Sequence, residues 1–460
     1  MRRWNGWGDE TFTYLLPASA TAFLEKAIGK PSPSPDATLE QVMASVPPSR
    51  LVPHPLVDAE PVQRVYHARG QSLPDWIAMR GGRMGPFPDG VAYPTTNEHV
   101  HELLHYAGRT GTRLIPYGGG SSVVGHVNVI RGDAPVLTVD LGRMNRLLRL
   151  DEISQLATFG AGVFGPDLES QLYARGFTLG HFPQSFELSS LGGWIVTRST
   201  GQQSQGYGRI EKLFAGGRME TPLGTWTLPA FPASAAGPDY REVVAGSEGR
   251  LGILTEATVR IAPVPEREEF HAAFFPNFAQ GLAATREMLQ SRVPLSMTRL
   301  STPQETETTL ALAGHEQLIA LVKRYLALRG IGDERCMLIL AATGTMLGVF
   351  VPIAGLFTWV TDNYHFMKVM HLLIFAVAGF FGVRVLYEAV MKLAPEGTAR
   401  SRAFALAFCW LVLYAVVGAQ LAWTLKPFLG TPYLPAMPPF RLESGNIYVS
   451  FFQSLARLVP

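Results

Sequence analysis

The hydrophobic pattern between residues 90 and 264 predicts an alternation of short strands and short helices. Apolar side chains from Val100 to Ala107 recur at helical spacing, and Thr95 with Glu98 forms a capping box in front of them. The short strands do not form a long βαβ series, so the pattern indicates an α+β fold. Strands are predicted at residues 91–93, 113–116, 135–141, 156–160 and 253–261.

The segments on either side have a different texture. Residues 1–89 read as an N-terminal extension of short helices and loops with Pro- and Ser-rich stretches. A linker is predicted at residues 263–268, and residues 269–335, the main part of the segment at 265–335, are rich in helix-forming sequence. Helices are predicted there at residues 279–290, 305–313 and 316–329.

Three long apolar stretches follow the helix-rich segment. The first contains no charged residue, and the second contains only Arg384 and Glu388. About 20 apolar residues suffice for a helix to span the hydrocarbon core of a bilayer. Three buried core helices are the alternative, which is disfavoured because core helices of this length usually keep a polar face. The predicted transmembrane helices are residues 337–360, 369–391 and 403–425, within a segment at 336–425 that precedes a tail at 426–460.

Basic residues around these stretches predict a topology. Four of them lie shortly before the first stretch and three lie between the second and third, whereas only Lys368 lies between the first and second. By the positive-inside rule, we expect a multi-pass membrane protein with its N-terminal domain in the cytoplasm and its C-terminus outside.

Charge and cysteine content exclude several classes of protein. A formal net charge of +2 over 460 residues provides no broad basic surface, so no nucleic-acid partner is expected. Cys336 and Cys409 have neither metal-ligand spacing nor the pattern of a disulfide framework, so no metal site is predicted.

A glycine-rich loop follows the strand predicted at residues 113–116. Consecutive glycines allow a sharp turn whose amide N–H groups face one concavity, and neighbouring serines add hydroxyl donors, which suits a pyrophosphate. Val123 excludes a Rossmann fingerprint, and His126-Val127 exclude a P-loop, because they replace required residues. Taken alone, a plain glycine turn explains the loop about as well. The loop consists of Pro116, Tyr117, Gly118, Gly119, Gly120, Ser121 and Ser122.

Two further segments, residues 180–201 and 236–253, are dense in Gly, Ser and Thr. Together with the glycine loop they resemble the FAD-binding half of the vanillyl-alcohol-oxidase (PCMH-type) flavoproteins. The specific branch is that of the alkyldihydroxyacetonephosphate synthases and their bacterial relatives. The resemblance begins at Arg3-Trp4-Asn5-Gly6-Trp7-Gly8 and extends to about residue 335. It is most specific in the stretch GHFPQSFELSSLGGWIVTRSTGQQSQGYGRIE.

The resemblance implies a two-subdomain FAD-binding domain at residues 90–264 and a partial α/β cap at 265–335. It implies FAD as the cofactor. Non-covalent binding is expected, because the loop positions at which many relatives tether the flavin through His or Cys are Gly or Ser here. The implied partner is a small anionic substrate, either a 2-hydroxy acid or an acyl-dihydroxyacetone-phosphate. Besides the glycine loop, the implied cofactor-binding residues are Gln184, Ser185, Ser190, Gly193, Thr197, Arg198, Ser199, Glu248, Gly252 and Ile253.

Three other residues remain open to more than one interpretation. Arg299 matches the cap arginine that contacts the anionic head of the substrate in this family, and a guanidinium fork suits a phosphate or carboxylate. A surface arginine on a strand edge is the alternative. His126 is interpreted as structural, and His181 either approaches the cofactor or supports it from behind.

The acid–base segments of the family are not found after residue 336, where apolar sequence begins. We therefore hypothesise a flavoprotein with a truncated cap joined to an unrelated membrane segment. Three functions stay open: a flavin oxidoreductase or synthase-like enzyme, a membrane-tethered flavin-binding module without turnover, and a membrane protein with a vestigial N-terminal domain.

Overall fold

The computed structural model describes residues 2–11, 15–32, 35–233, 235–313 and 315–344. The density of contacts divides the chain into two units, residues 1–289 with 295–341 and residues 290–294 with 342–460. The candidate site described below belongs to the first unit.

Short helices and strands alternate along the described chain, which confirms the predicted α+β class. The helices are α1 Ala18–Ile28, α2 Leu39–Met43, α3 Pro61–Tyr66, α4 Leu73–Arg80, α5 Asn97–Thr110, α6 Gly165–Tyr173, α7 Leu191–Val196, α8 Ser204–Tyr207, α9 Ile210–Leu213, α10 Tyr240–Val244, α11 Phe278–Gln290, α12 Pro303–Leu312 and α13 Glu316–Leu328, with a 3-10 turn at Phe186–Leu188. The strands are β1 Val57–Asp58, β2 Gly90–Ala92, β3 Arg113–Tyr117, β4 Val136–Asp140, β5 Leu147–Asp151, β6 Leu156–Gly160, β7 Phe177–Thr178, β8 Phe214–Thr221, β9 Gly224–Leu228, β10 Ile253–Arg260, β11 Ala262–Pro263, β12 Arg267–Phe275, β13 Met297–Leu300 and β14 Cys336–Gly344.

The first sheet is mainly parallel. In the order β1-β2-β4-β3, β4 runs parallel to both β2 and β3, while β1 pairs antiparallel with β2. Helix α5 connects β2 to β3 and buries Val100 and Leu103 in one core with Val139. Because parallel strands end at the same edge, Tyr117 at the end of β3 lies beside Asp140 at the end of β4. The glycine loop begins at this edge.

Helix α5 begins one residue later than the sequence predicts. Thr96 is its N-cap, since the Thr96 hydroxyl accepts a hydrogen bond from the backbone N–H of His99 at 3.3 Å. The Thr95 hydroxyl instead contacts the Nδ1 atom of the His99 side chain at 3.3 Å. The helix ends at Gly111, whose φ of 69° is left-handed and favours glycine.

The second sheet is antiparallel, with five strands in the order β5-β6-β10-β8-β9. Helices α6 and α7 contribute Leu168 and Trp194 to its core. The turn after β6 holds the first residues of α7, because Gly192 N–H donates to the Ala161 carbonyl at 2.7 Å. A Cβ on Gly192 would lie 2.9 Å from that oxygen, so the helix approaches the turn closely.

A buried carboxylate joins the two sheets where α5 contacts β8. The Glu220 side chain is fully buried, and its oxygens are contacted by His101 Nε2 at 2.7 Å, Arg218 Nε at 2.5 Å and Thr225 Oγ1 at 2.8 Å. Because a buried charge needs such partners, these contacts favour one arrangement of α5 on β8. The contacts thereby hold together the two sheets that carry the segments of the candidate site.

The third sheet has the strand order β12-β14-β13. In the sequence, α11 lies between β12 and β13, and α12 and α13 lie between β13 and β14. Strand β13 pairs antiparallel with β14, with Arg299 opposite Ile339. The backbone N–H of Met337 donates to the Thr306 hydroxyl of α12 at 3.0 Å. Strands β12 and β13 lie within residues 265–335, for which a partial cap was predicted. Strand β14 extends their sheet beyond residue 335.

For the residues that the structure describes, the prediction of transmembrane helices is wrong. Among the helices in the described ranges, none is long and apolar enough to cross a membrane. The first predicted span begins in β14, the central strand of its sheet, where Leu338 and Leu340 are buried. The prediction failed because an apolar run without periodicity does not distinguish a buried strand from a helix. The rest of that span, the spans at 369–391 and 403–425 and the tail at 426–460 lie outside the described residues.

Candidate cofactor site

The glycine loop follows β3, and at two of its glycines there is no room for a side chain. A Cβ on Gly118 would lie 2.0 Å from the Ser190 hydroxyl oxygen, and a Cβ on Gly119 would lie 1.7 Å from the Leu188 carbonyl oxygen. Gly120 has a φ of 66°, a conformation that glycine adopts without strain. The backbone of the loop therefore packs directly against the segment that leads into α7.

The amide groups of the loop are available to a ligand. Within the part of the chain that the structure describes, the backbone N–H groups of Gly119, Gly120 and Ser121 donate to no protein acceptor. Such groups need water or a ligand as a partner. Successive amides around a glycine turn form a concavity suited to an anion, so the loop fits a pyrophosphate.

The second predicted segment forms the wall opposite the loop. Ser190 caps α7, and its hydroxyl accepts a hydrogen bond from Gly193 N–H at 3.3 Å. The Thr197 hydroxyl donates to the Gly193 carbonyl at 2.7 Å, at the other end of the helix. Ser185 and the exposed Gln184 lie just before the 3-10 turn that leads to this wall. Several of the predicted donors thus occupy one short stretch.

The third predicted segment, residues 236–253, contacts both α7 and the glycine loop. Glu248 has a φ of 55°, and its N–H donates to the Val196 carbonyl at the end of α7 at 2.9 Å. A Cβ on Gly249 would lie 3.2 Å from Pro116 Cγ, so this turn also packs against the glycine loop. The side chains of His126 and Glu248 meet at 3.2 Å across the same gap. The structure therefore brings all three predicted segments together.

Three of the predicted residues have structural contacts at this site. The Arg198 guanidinium donates from Nη2 to Glu242 Oε2 at 2.6 Å. A Cβ on Gly252 would lie 2.5 Å from the Glu220 carbonyl oxygen, and the Ile253 side chain is buried in the core of the first sheet. A direct contact of these residues to a cofactor stays a prediction.

His181 is a buried histidine beside the second segment. Its Nε2 atom lies 2.6 Å from the Ser199 hydroxyl, and its ring lies 5.0 Å from that of Trp194. Its Nδ1 atom has no partner within the described residues. Burial lowers the pKa of His181 to about 4, so the ring is neutral near pH 7. His181 thus positions Ser199 and keeps one free ring nitrogen.

Arg299 lies on β13, outside the group formed by the three segments. Its Nη2 atom contacts Glu305 Oε1 at 2.5 Å, and both side chains are a little over 40% exposed. The arginine therefore already has an anionic partner.

Sequence reasoning missed a cluster behind the glycine loop. The Arg2 guanidinium donates to the Tyr117 hydroxyl at 2.7 Å, and the Tyr117 ring lies 4.6 Å from that of His67. His67 Nε2 in turn lies 2.9 Å from Asp140 Oδ2. Arg2 precedes the opening motif at residues 3–8, but nothing in the local sequence indicates partners more than 60 positions away.

Comparison with known proteins agrees with this geometry. Residues 88–227 match the family described as FAD binding domain. The chain belongs to the FAD-linked oxidase superfamily, which includes alkyldihydroxyacetonephosphate synthase. The cofactor is therefore FAD, as predicted.

Its relatives include alkyldihydroxyacetonephosphate synthases. The protein of Dictyostelium discoideum is 33% identical over 366 residues, which cover 70% of this chain and 60% of that protein. The protein of Trypanosoma brucei brucei is 29% identical over 364 residues, with 71% and 59% coverage. A solved alkyldihydroxyacetonephosphate synthase structure has a TM-score of 0.70 and 31% identity, covering 79% of this chain and 72% of that one. The chain thus spans about three-fifths of the length of these curated relatives.

Replacing Gly119 by alanine is expected to weaken FAD binding at least about tenfold, since the Cβ would push the loop away from Leu188 and distort its amides. Titration of the apoprotein with FAD, followed by flavin fluorescence, measures the change. Gly108→Ala is the matched control, because a Cβ at Gly108 on α5 meets nothing within 4 Å. Equal FAD affinity in the two variants would contradict this account of the loop.

His181 makes stability depend on pH. Its pKa is about 4 in the folded protein against an ordinary 6.5, so the unfolded chain binds more protons between these values. The free energy of unfolding should therefore fall as the pH falls from 6.5 to 4, by roughly 3 kcal/mol at most. Urea unfolding across this range should show the fall in the unsubstituted protein beyond that in His181→Gln. Parallel pH profiles would refute the assignment.

Proposed function

We propose that this chain uses FAD to act on a small substrate with a phosphate or carboxylate head, of the acyl-dihydroxyacetone-phosphate class. One observation carries the proposal. Three segments converge around the free amides of Gly119, Gly120 and Ser121 in a chain that is 33% identical to the Dictyostelium synthase. A 2-hydroxy acid is the alternative substrate.

The residues at the site suggest how the cofactor would be held. The amides of the glycine loop would bind the pyrophosphate, and the Ser190 and Ser199 hydroxyls would face the ribityl chain and the ring. His181, neutral and hydrogen-bonded to Ser199, would keep that hydroxyl oriented. No His or Cys stands among residues 118–122, which supports non-covalent binding. When bound, FAD supplies a ring that accepts electrons from a substrate.

Arg299 is our candidate for the anionic head of the substrate. Its present partner, Glu305, is a half-exposed carboxylate. Exposed ion pairs contribute only about 0–1 kcal/mol, so replacing Glu305 by a substrate phosphate costs little. A guanidinium fork also binds a phosphate through two parallel hydrogen bonds. The same ion pair favours the second candidate function, a flavin-binding module without turnover, because it leaves Arg299 occupied. The truncation of the cap stays a hypothesis from the sequence.

The two functions differ in what happens to the flavin. We expect anaerobic addition of an acyl-dihydroxyacetone-phosphate to the FAD-loaded full chain to bleach the visible flavin absorbance, and a 2-hydroxy acid such as glycolate to bleach it less. Arg299→Met should raise the substrate concentration for half-bleaching about tenfold or more. Arg324→Met, an exposed arginine on α13, is the matched control.

Bound FAD that no substrate bleaches would contradict the catalytic proposal and favour the module. Stronger bleaching by the 2-hydroxy acid would reverse the order of the two substrates. Equal behaviour of the two arginine variants would remove Arg299 from the substrate site.

A further inference from the structure

We propose that Arg2 is a positioning residue of the FAD site, which reaches across from residues 2–11 and holds the glycine loop in its pyrophosphate-binding shape. The inference rests on the FAD site of the proposed function and assigns it a residue outside its three segments. It concerns cofactor affinity and is independent of the substrate.

The guanidinium of Arg2 contacts the loop at two positions, Tyr117 and Gly119. Nη1 donates to the Gly119 carbonyl at 2.9 Å, and Nη2 donates to the Tyr117 hydroxyl at 2.7 Å. The Arg2 guanidinium also lies 5.7 Å from the centre of the Tyr117 ring. A planar guanidinium presents several donors in a fixed fork, so one side chain can fix both partners at once. With its carbonyl held by Arg2, the peptide of Gly119 has a defined orientation.

This orientation bears directly on the ligand. The carbonyl of Gly119 belongs to the same peptide unit as the N–H of Gly120, one of the amides without a protein acceptor. Because a peptide unit is planar and trans, fixing the carbonyl on one side directs that N–H to the opposite side. Arg2 therefore aims an amide of the loop away from the guanidinium and into the concavity.

The segment that carries Arg2 has its own anchor. The Trp4 side chain is 8% exposed and packs in one cluster with Val65 and Met79. Within the segment, Arg3 N–H donates to the Gly8 carbonyl at 3.0 Å. The position of Arg2 is thus supported by contacts that do not involve the glycine loop.

The positive charge of Arg2 beside the glycine loop also supports a role in pyrophosphate binding. His67 places Nδ1 2.7 Å from the Gln63 carbonyl and Nε2 2.9 Å from Asp140 Oδ2, so Asp140 already has a close partner besides Arg2. Burial raises the pKa of the Tyr117 phenol, so this hydroxyl stays neutral and does not offset the charge of Arg2. A fixed positive charge beside the loop favours a bound pyrophosphate.

The test compares FAD binding by apoproteins of the full chain. Arg2→Ala is expected to weaken FAD binding about tenfold or more, since it removes charge-assisted hydrogen bonds. Adding guanidinium chloride at a non-denaturing concentration should restore much of the affinity, relative to the same concentration of sodium chloride. Arg3→Ala, in the same segment, is the control and should stay within about twofold of the unsubstituted protein.

Two results would overturn the inference: FAD affinity unchanged in Arg2→Ala, or a loss that guanidinium does not restore, which would mean a general disturbance of the fold. Should Arg2→Ala be insoluble, Arg2→Lys decides instead. A lysine reaches one acceptor at most, so it should weaken binding, and unchanged affinity would again overturn the inference. Failure of the unsubstituted protein to bind FAD would reject the proposed function itself.

Discussion

The contact between the Gly119 backbone and the Leu188 carbonyl is the constraint on which the candidate site depends. The glycine loop extends from the parallel sheet, whereas the segment at the start of α7 is held by backbone hydrogen bonds to α6 and to the turn after β6 of the antiparallel sheet. A side chain at position 119 would separate these two walls, because its Cβ would lie 1.7 Å from the oxygen. The turn at Glu248 then packs on both, through Val196 and through its neighbour Gly249. One close backbone approach thus sets the shape of the site.

The electrostatic potential at the site is set by backbone N–H groups and by the Arg2 guanidinium. The free loop amides face the concavity, and the Arg2 charge lies behind them. Buried carboxylates nearby have structural partners: Glu169 accepts from Leu179 N–H and Gly180 N–H, just before His181, and burial raises its pKa. Glu169 thereby holds the turn that presents the neutral His181. The anion of a cofactor would meet the amides of the loop here, while the Glu248 carboxylate at the gap lies 3.2 Å from His126.

Much of the candidate site, but only part of the fold, could be predicted from local sequence. Glycines at 118–120 and the polar stretch around Ser190 were visible as motifs because backbone turns need particular residues. The N-cap of α5 moved by one residue because Thr95 and Thr96 both offer a hydroxyl. The linker predicted at residues 263–268 contains the ends of two strands, β11 and β12, whose pairing partners are distant in sequence. Likewise, the burial of β14 and the contacts of Arg2 arise only from tertiary structure, so composition and periodicity could not reveal them.

The central claim is that three separate segments build one non-covalent FAD site, and the flavin content of the purified full chain tests it most directly. After loading with excess FAD and removal of the unbound fraction, acid precipitation should leave an amount of FAD in the supernatant equimolar to the protein. A supernatant without flavin, with a colourless pellet, would contradict the site. A yellow pellet that retains the flavin would contradict its non-covalent character.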